Sequence, residues 1–112
     1  MKKYLFYAME GEKMCFVHVL LNALDLAESG NEVKIIFEGA SVKLPPLLEE
    51  EGNPLYRKAL ESGLVAGVCQ ACAETLGVRA EIDKLGLPLL NYTKGHAGMR
   101  PYIEDGYEAF VF

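Results

Sequence analysis

The chain has 112 residues, of which 51% are hydrophobic and 24% charged, and its formal net charge is -5. This length allows one hydrophobic core and is too short for two, so we expect a single domain over residues 1–112. The negative balance and the scattering of 11 lysines and arginines exclude binding to a nucleic-acid backbone, and no apolar run approaches the ~20 residues that span a bilayer.

The first part of the chain predicts a strand, a long helix and a second strand. Residues 3–8 form an apolar strand, and residues 14–27 carry leucine, valine and alanine at helical spacing before a glycine ends the helix. Residues 32–37 are apolar enough for a strand that is buried on both faces. Glu10 and Glu12 interrupt the first apolar run too early for a signal peptide, so we expect a cytoplasmic protein.

The rest of the chain continues this alternation of helices and strands. Pro45 and Pro46 open a short acidic helix, and Asn53 with Pro54 supplies the N-cap and first position of another. The further predicted elements are a strand at 64–68, a helix that carries two cysteines and ends at Gly77, a short strand at 87–90, a helix at 98–105 and a last strand at 107–112. The pattern is typical of repeated strand-helix-strand units, so we predict an α/β protein with a mainly parallel sheet of about five strands.

The loops after the strands of such a sheet gather at its carboxyl edge, where ligands bind in open parallel α/β folds. Four predicted loops begin at this edge, namely residues 9–13, 38–43, 69–72 and 91–96. We therefore expect one candidate site that draws its side chains from these segments.

Cys69 and Cys72 form a Cys-x-x-Cys step where the third strand meets a helix. A thiol in the first turn of a helix lies beside unpaired backbone N–H groups and the positive end of the helix dipole, both of which favour the thiolate. We therefore predict that Cys69 is an accessible nucleophile with a lowered pKa, with burial as a small core residue as the alternative. Cys72 faces the same side of the helix and is open to three roles: resolving thiol, metal ligand or core packing.

His96 follows the fourth strand, on the same predicted rim. Histidine is the side chain that titrates nearest neutral pH, which suits a proton donor or a holder of an anionic substrate; a loop-to-helix contact is the alternative. Cys15 and His18 fall in the long apolar helix, where packing is the expected role; the alternatives are a place at the site rim for Cys15 and a subunit interface for His18. The acidic residues expected at the solvated surface of the rim are Glu10, Glu12 and Glu38. Three thiols in a reducing compartment predict no structural disulfide.

Four stretches stand out when the chain is taken as a whole. They are Phe37-Glu38-Gly39-Ala40-Ser41-Val42-Lys43-Leu44, Asn53-Pro54-Leu55-Tyr56, Gly67-Val68-Cys69-Gln70-Ala71-Cys72 and Lys94-Gly95-His96-Ala97-Gly98-Met99. Together they resemble the DsrE-like family of small sulfur-relay proteins, above all its small archaeal and bacterial members, and the likeness spans nearly the whole chain. The resemblance implies a flavodoxin-like three-layer fold, homo-trimers or hexamers, and a cysteine persulfide passed from a sulfur donor protein to a sulfur acceptor protein. In the DsrE and TusD subunits the sulfur-carrying cysteine follows a strand at the opening of a helix, which matches Cys69 here.

The residues leave more than one function open. The first hypothesis is a sulfur carrier or sulfurtransferase subunit that works through Cys69, with Cys72 as helper and His96 nearby. The second is a metal- or small-ligand-binding module without turnover that uses the same three side chains, with Cys15 as a further candidate ligand. A thioredoxin-like oxidoreductase ranks last because no Trp precedes the Cys-x-x-Cys step. No Gly-x-Gly-x-x-Gly or phosphate loop follows a strand, so we expect no flavin or nucleotide cofactor.

Overall fold

One sheet of five parallel strands lies at the centre of the computed structural model, which describes residues 1–112. Its strands are β1 (Lys3–Ala8), β2 (Glu32–Phe37), β3 (Val65–Cys69), β4 (Leu89–Leu90) and β5 (Glu108–Val111). They lie side by side in the order β4-β3-β2-β1-β5, and every pair is parallel. The chain thus steps in one direction from β1 to β4 and then crosses to the far side of β1 for β5. The predicted α/β class and the strand number are confirmed.

Six α-helices and one short 3-10 helix, Gly39–Lys43, connect the strands. The α-helices are α1 (Lys13–Glu28), α2 (Leu44–Glu50), α3 (Pro54–Glu61), α4 (Gln70–Thr75), α5 (Arg79–Leu85) and α6 (Arg100–Glu104). The predicted Asn53 cap is confirmed, since its side-chain oxygen accepts hydrogen bonds from the N–H groups of Leu55 and Tyr56. The helix α5 was not predicted, because it has seven residues and buries a single side chain, Ile82. Such a short segment shows no helical periodicity in the sequence.

The fourth strand is shorter than predicted. It spans two residues, Leu89–Leu90, rather than 87–90. The carbonyl oxygen of Pro88 accepts a hydrogen bond from the Val68 N–H, so the contact with β3 begins at Pro88. Because Pro88 has no N–H to donate, the regular pairing of the two strands begins only after it. The two ladder pairs that follow join Val68 to Leu89 and Cys69 to Leu90. This short strand brings the segment that follows it directly to the end of β3.

Helices and loops cover both faces of the sheet. On one face the ring of Phe16 in α1 lies 5.0 Å from the ring of Phe37 in β2. Because successive strand residues point to opposite faces, Glu32 points the other way, and there it accepts a hydrogen bond from Tyr107. Tyr102 of α6 packs edge-on against Tyr107, so α6 lies on this second face. The result is a three-layer arrangement of the flavodoxin-like kind.

The hydrophobic core is one cluster of 26 buried residues. Phe37, Ile35 and Ile36 of β2 are completely buried in it, which fits the prediction of a strand covered on both faces. Burial of each such side chain stabilises the fold by about 2 kcal/mol. None of the helices has the length and apolar character needed to cross a membrane.

Candidate functional site

Four chemically active side chains meet at the carboxyl edge of the sheet. They are Glu38, Cys69, Cys72 and His96, and their ligand atoms all lie within 4.8 Å of one another. Three of the four predicted loop segments therefore share one site, as the parallel topology requires. The fourth segment, 9–13, contributes no side chain to this cluster. Met9 of this segment instead lies close to Gly39, and a Cβ atom added at position 39 would stand 3.3 Å from the Met9 side chain. Gly39 also has a φ of +60°, which residues with a side chain rarely adopt. A side chain at position 39 would be strained on both counts.

Glu38 is the centre of the cluster. It follows β2 directly and is only 5% exposed, so the prediction that it belongs to the solvated surface is wrong. Its Oε2 accepts a hydrogen bond from the hydroxyl of Tyr7 at 3.0 Å, and its Oε1 accepts one from the Gly39 N–H at 3.2 Å. Burial opposes ionisation of Glu38, but the hydrogen bonds from Cys72, Cys69, Tyr7 and Gly39 outweigh it and lower the pKa of the carboxyl group. Glu38 is therefore a buried carboxylate.

Tyr7 supports this carboxylate from β1. Its hydroxyl lies 2.7 Å from the carbonyl oxygen of Ala97 and 3.0 Å from Glu38 Oε2, so it ties the segment after β4 to the end of β2. Burial and the neighbouring carboxylate raise the pKa of Tyr7, which stays a donor. Neither Tyr7 nor Glu38 was predicted as a site residue. The available signal was the position of Glu38, an acidic residue directly after a buried strand and before a glycine.

Cys69 is the N-cap of α4, as its place at the strand-to-helix junction predicts. Its Sγ accepts a hydrogen bond from the backbone N–H of Cys72 at 3.4 Å. However, Cys69 is 0% exposed, and burial raises the pKa of its thiol, with Glu38 adding to the effect. The predictions of an accessible thiol and a lowered pKa are therefore wrong. α4 has only six residues, so its dipole and free N–H groups are too weak to offset burial beside a carboxylate.

Cys72 is the more accessible of the two thiols. It is half-buried and lines an open hollow of 340 Å³ together with Gly39, Ala40, Thr75, Leu76 and His96. Its Sγ lies 2.6 Å from Glu38 Oε1 and 3.3 Å from the Gly39 nitrogen. Burial, followed by the contacts with Glu38 and Cys69, raises the pKa of the Cys72 thiol to about 12. At this separation a proton or another cation must lie between the sulfur and the carboxylate, because two anions would repel strongly.

His96 reaches the cluster through a tight turn. Thr93 and His96 are bridged across it, and its two central residues, Lys94 and Gly95, have φ angles of 49° and 88°. Two consecutive left-handed residues are typical of a type I′ turn, and glycine adopts this conformation without cost. The turn brings His96 Nδ1 to 3.4 Å from Cys69 Sγ and 3.3 Å from Glu38 Oε1. The imidazole is 52% exposed, so it forms part of the outer wall of the site.

The segment that carries His96 also covers Cys69. The carbonyl oxygen of Gly95 accepts a hydrogen bond from the Ala71 N–H at 2.8 Å, and it lies 4.0 Å from Cys69 Sγ. Ala97, one residue beyond the histidine, is completely buried. The prediction that His96 lies on the rim beside the cysteines is confirmed, and the same contacts explain why Cys69 is closed off.

Two other candidates lie outside the cluster. Cys15 is exposed in the first turn of α1, so its predicted core position is wrong, and the four-residue cluster does not include it. His18, one turn further along α1, is also exposed rather than packed. The candidate metal ligands are thus Glu38, Cys69, Cys72 and His96.

The fold and the site define a class: a five-stranded parallel α/β protein with a buried carboxylate, two thiols and an imidazole at the carboxyl edge of its sheet. The chain belongs to the same family as Uncharacterized protein MJ0733 of Methanocaldococcus jannaschii. The two are 39% identical over 94 residues, which cover 81% of this chain and 74% of that protein.

A solved structure has the same architecture. It is the conserved protein of unknown function BT1422 from Bacteroides thetaiotaomicron, which superposes with a TM-score of 0.74 at 25% sequence identity. The match covers 99% of this chain and 95% of the other. A comparison with models of known protein families finds no match.

Proposed function

We propose that this protein is a DsrE-like sulfur-relay protein that carries sulfane sulfur as a persulfide on Cys72, with Cys69 behind it. The observation that carries the proposal is the contact of Cys72 Sγ with Glu38 Oε1 at 2.6 Å, at the wall of an open hollow. The contact fixes an accessible thiol at the wall of the hollow, where His96 Nδ1 lies 3.8 Å from its sulfur. The sequence resemblance favours Cys69 as the carrier, but its complete burial moves that role to its neighbour.

The transfer balances without an external oxidant. His96, whose Nδ1 lies 3.8 Å from Cys72 Sγ, takes the proton of the Cys72 thiol while Cys72 Sγ attacks the outer sulfur of a donor persulfide, R–S–SH, and then returns that proton to the leaving group. The new S–S bond forms on Cys72, the donor's S–S bond breaks, and the donor leaves as a thiolate that recovers a proton. The products are R–SH and a Cys72 persulfide. An acceptor thiolate then attacks the outer sulfur in the same way and restores the Cys72 thiol.

The other members of the cluster have supporting roles in this proposal. The N–H of Gly39 lies 3.3 Å from Cys72 Sγ and stabilises negative charge on that sulfur. His96, half-exposed at the outer wall, is placed to donate a proton to the departing donor thiolate. Cys69 lies behind Cys72 and is closed off from partner proteins.

The test is sulfur loading of three cysteine variants. Reduced, chelator-treated protein is incubated with a low-molecular-weight persulfide and desalted, and its cyanide-labile sulfur is measured together with its intact mass. We expect the wild type and Cys69→Ser to gain one labile sulfur atom per chain. Cys72→Ser is expected to gain at least about tenfold less, because it lacks the only thiol that both faces the hollow and contacts Glu38.

The third variant, Cys15→Ser, removes an exposed thiol outside the cluster and is the parent in which the other two substitutions are compared, so that Cys15 itself takes up no sulfur. Cys69→Ser preserves the fold because serine is a favoured N-cap residue. Normal loading of Cys72→Ser would contradict the assignment to Cys72, and absence of loading in every form, the wild type included, would contradict the relay function itself.

The proposal includes a cytoplasmic homo-oligomer of three or six copies. An apolar row on the edge strand supports self-association, because Phe110, Val111 and Phe112 are all exposed at β5 and the residue after it. Three unpaired thiols suit a reducing compartment. Native mass spectrometry tests the assembly: we expect three or six chains, and a monomer at micromolar concentration would contradict it.

A further inference from the structure

We propose that Glu38, Cys69, Cys72 and His96 also form a tetrahedral binding site for a divalent cation of the zinc class. This inference goes beyond sulfur relay, because it concerns a second chemical state of the site and needs no sulfur donor. Thiolate, imidazole and carboxylate together are the donor set that zinc favours in proteins.

Several of the distances between the donor atoms match a tetrahedron around one ion. Zinc bonds of about 2.0 to 2.3 Å at tetrahedral angles place neighbouring donor atoms about 3.4 to 3.8 Å apart. Three separations lie close to that range: Cys69 Sγ to His96 Nδ1 at 3.4 Å, Cys72 Sγ to His96 Nδ1 at 3.8 Å, and Glu38 Oε1 to His96 Nδ1 at 3.3 Å. The separation of Cys72 Sγ from Glu38 Oε1 is 2.6 Å and would widen by about 1 Å when a cation replaces the proton between them.

The charges around the site also favour a cation. Glu38 is a buried carboxylate, and buried charges are normally paired or bound to metals. Its one ion-pair partner is His96, whereas lysine and arginine pair with carboxylates elsewhere on the protein. Loss of the thiol protons would add up to two negative charges beside Glu38. A divalent cation would neutralise them.

Hydrogen bonds from the surrounding residues hold the donors in place. Tyr7 donates to Glu38 Oε2 and leaves Oε1 facing the sulfurs. Outer hydrogen bonds of this kind orient the ligands of metal sites. Cys69 comes from the end of β3, Cys72 from α4, and His96 from a tight turn, so the polypeptide presents the donors from rigid elements.

The experiment is a titration of the chelator-treated, reduced full-length protein with Zn²⁺ alone, followed by calorimetry and by elemental analysis after dialysis. We expect one zinc per chain. Co²⁺ in its place is expected to give thiolate-to-cobalt absorption and the intense visible bands typical of tetrahedral coordination. Glu38→Gln and His96→Gln are each expected to weaken binding at least about tenfold, and the double variant Cys69→Ser, Cys72→Ser to abolish stoichiometric binding.

Cys15→Ser is the matched control and is expected to bind zinc like the wild type, because Cys15 lies outside the cluster. Thermal unfolding without metal shows that each variant is folded before its affinity is compared. No retained zinc in the wild type, or equal binding by the double cysteine variant, would overturn the proposal. Persulfide loading is measured on metal-free protein, so failure of either proposal is recognised separately from the other.

Discussion

The two ends of the sheet each hold a carboxylate that accepts a hydrogen bond from a tyrosine, yet their surroundings differ. At the amino end Tyr107 donates to Glu32, and the ammonium group of Lys3 lies 5.4 Å from the centre of the Tyr107 ring and 3.4 Å from Asp105. At the carboxyl end Tyr7 donates to Glu38, but two thiols and an imidazole take the place of the lysine.

This difference separates a structural cluster from a reactive one. The amino end contains its own permanent cation, so its polar groups are satisfied within the fold. At the carboxyl end the charge of a buried carboxylate is balanced by thiol protons, by the neighbouring imidazole of His96 or by a bound ion. The same tyrosine–carboxylate pair therefore serves stability at one end and chemistry at the other.

The largest effect that would sharpen this contrast is stabilisation by zinc. At a free zinc concentration 100 times the dissociation constant, the free energy of unfolding is expected to rise by about 2.7 kcal/mol, provided that the unfolded chain binds zinc weakly. Tyr107→Phe, at the amino end, is expected to keep this increment, and Cys72→Ser to lose most of it. Chemical unfolding with and without a chelator measures both. If Tyr107→Phe lost the stabilisation by zinc and Cys72→Ser kept it, the assignment of a structural amino end and a reactive carboxyl end would be contradicted.

The next effect concerns the reactivity of Cys72 in metal-free protein. A pKa of about 12 leaves its thiolate fraction at pH 8 about a thousandfold below that of a free thiol. The greater nucleophilicity of a high-pKa thiolate offsets part of this smaller thiolate fraction. Alkylation of Cys72 is therefore expected to be about 50-fold slower than that of a free thiol. The rate is expected to climb with pH up to about 12. Peptide mass spectrometry after timed iodoacetamide treatment gives the rate at each pH.

Two carboxylate variants compare the ends of the sheet in the same assay. Glu38→Gln removes the negative charge that raises the pKa of Cys72, so alkylation is expected to become faster. Sulfur loading is expected to become faster in the same variant, because it depends on the same Cys72 thiolate. Glu32→Gln is expected to change neither rate. If Cys72 in the wild type reacted as fast as a free thiol, its contact with Glu38 would not control its protonation.

A smaller difference is expected between the two tyrosines. Tyr7→Phe removes a buried hydroxyl that lies within hydrogen-bonding distance of both Glu38 and Ala97, and is expected to destabilise the protein by about 2 kcal/mol. Tyr107→Phe removes a bond to the less buried Glu32 and is expected to cost about 1 kcal/mol. Urea unfolding of both variants without metal measures the difference. Equal losses would show that the two clusters contribute alike to stability.

The smallest effect involves a buried tyrosine outside both clusters. Tyr56 is almost completely buried in α3, and its hydroxyl has no hydrogen-bond partner. Tyr56→Phe removes this unsatisfied group and is expected to raise the free energy of unfolding by up to about 1 kcal/mol. A loss of stability of similar size would reveal that the hydroxyl is satisfied in solution.

The sequence predicts the elements that carry strong local signals. β1 and β2 lie within the predicted bounds because their apolar runs are continuous, and α3 begins at its predicted Asn-Pro cap. The short helix α5 is missed because its single buried residue, Ile82, is too weak a signal. Local pattern thus locates strands and caps, whereas short helices depend on tertiary packing.

The site is predicted in position but not in its electrostatics. The parallel topology places Cys69, Cys72 and His96 together at the carboxyl edge. The burial of Cys69 depends on the turn that carries Gly95, and the raised pKa of its thiol follows from that burial beside a short helix. Neither is visible in the Cys-x-x-Cys spacing. Glu38 is not predicted as a site residue because most acidic residues are solvated. Its burial follows from contacts with Tyr7 and Cys72, which are distant from it in sequence.

The most direct test of the account is to locate the transferred sulfur on the wild-type chain. Metal-free protein is loaded with a small persulfide, its remaining thiols are blocked, and the peptide that spans both clustered cysteines is fragmented between Gln70 and Ala71 in a tandem mass spectrometer. The account predicts that the extra sulfur stays with the fragment that contains Cys72. Extra sulfur on the fragment that contains Cys69 would contradict it.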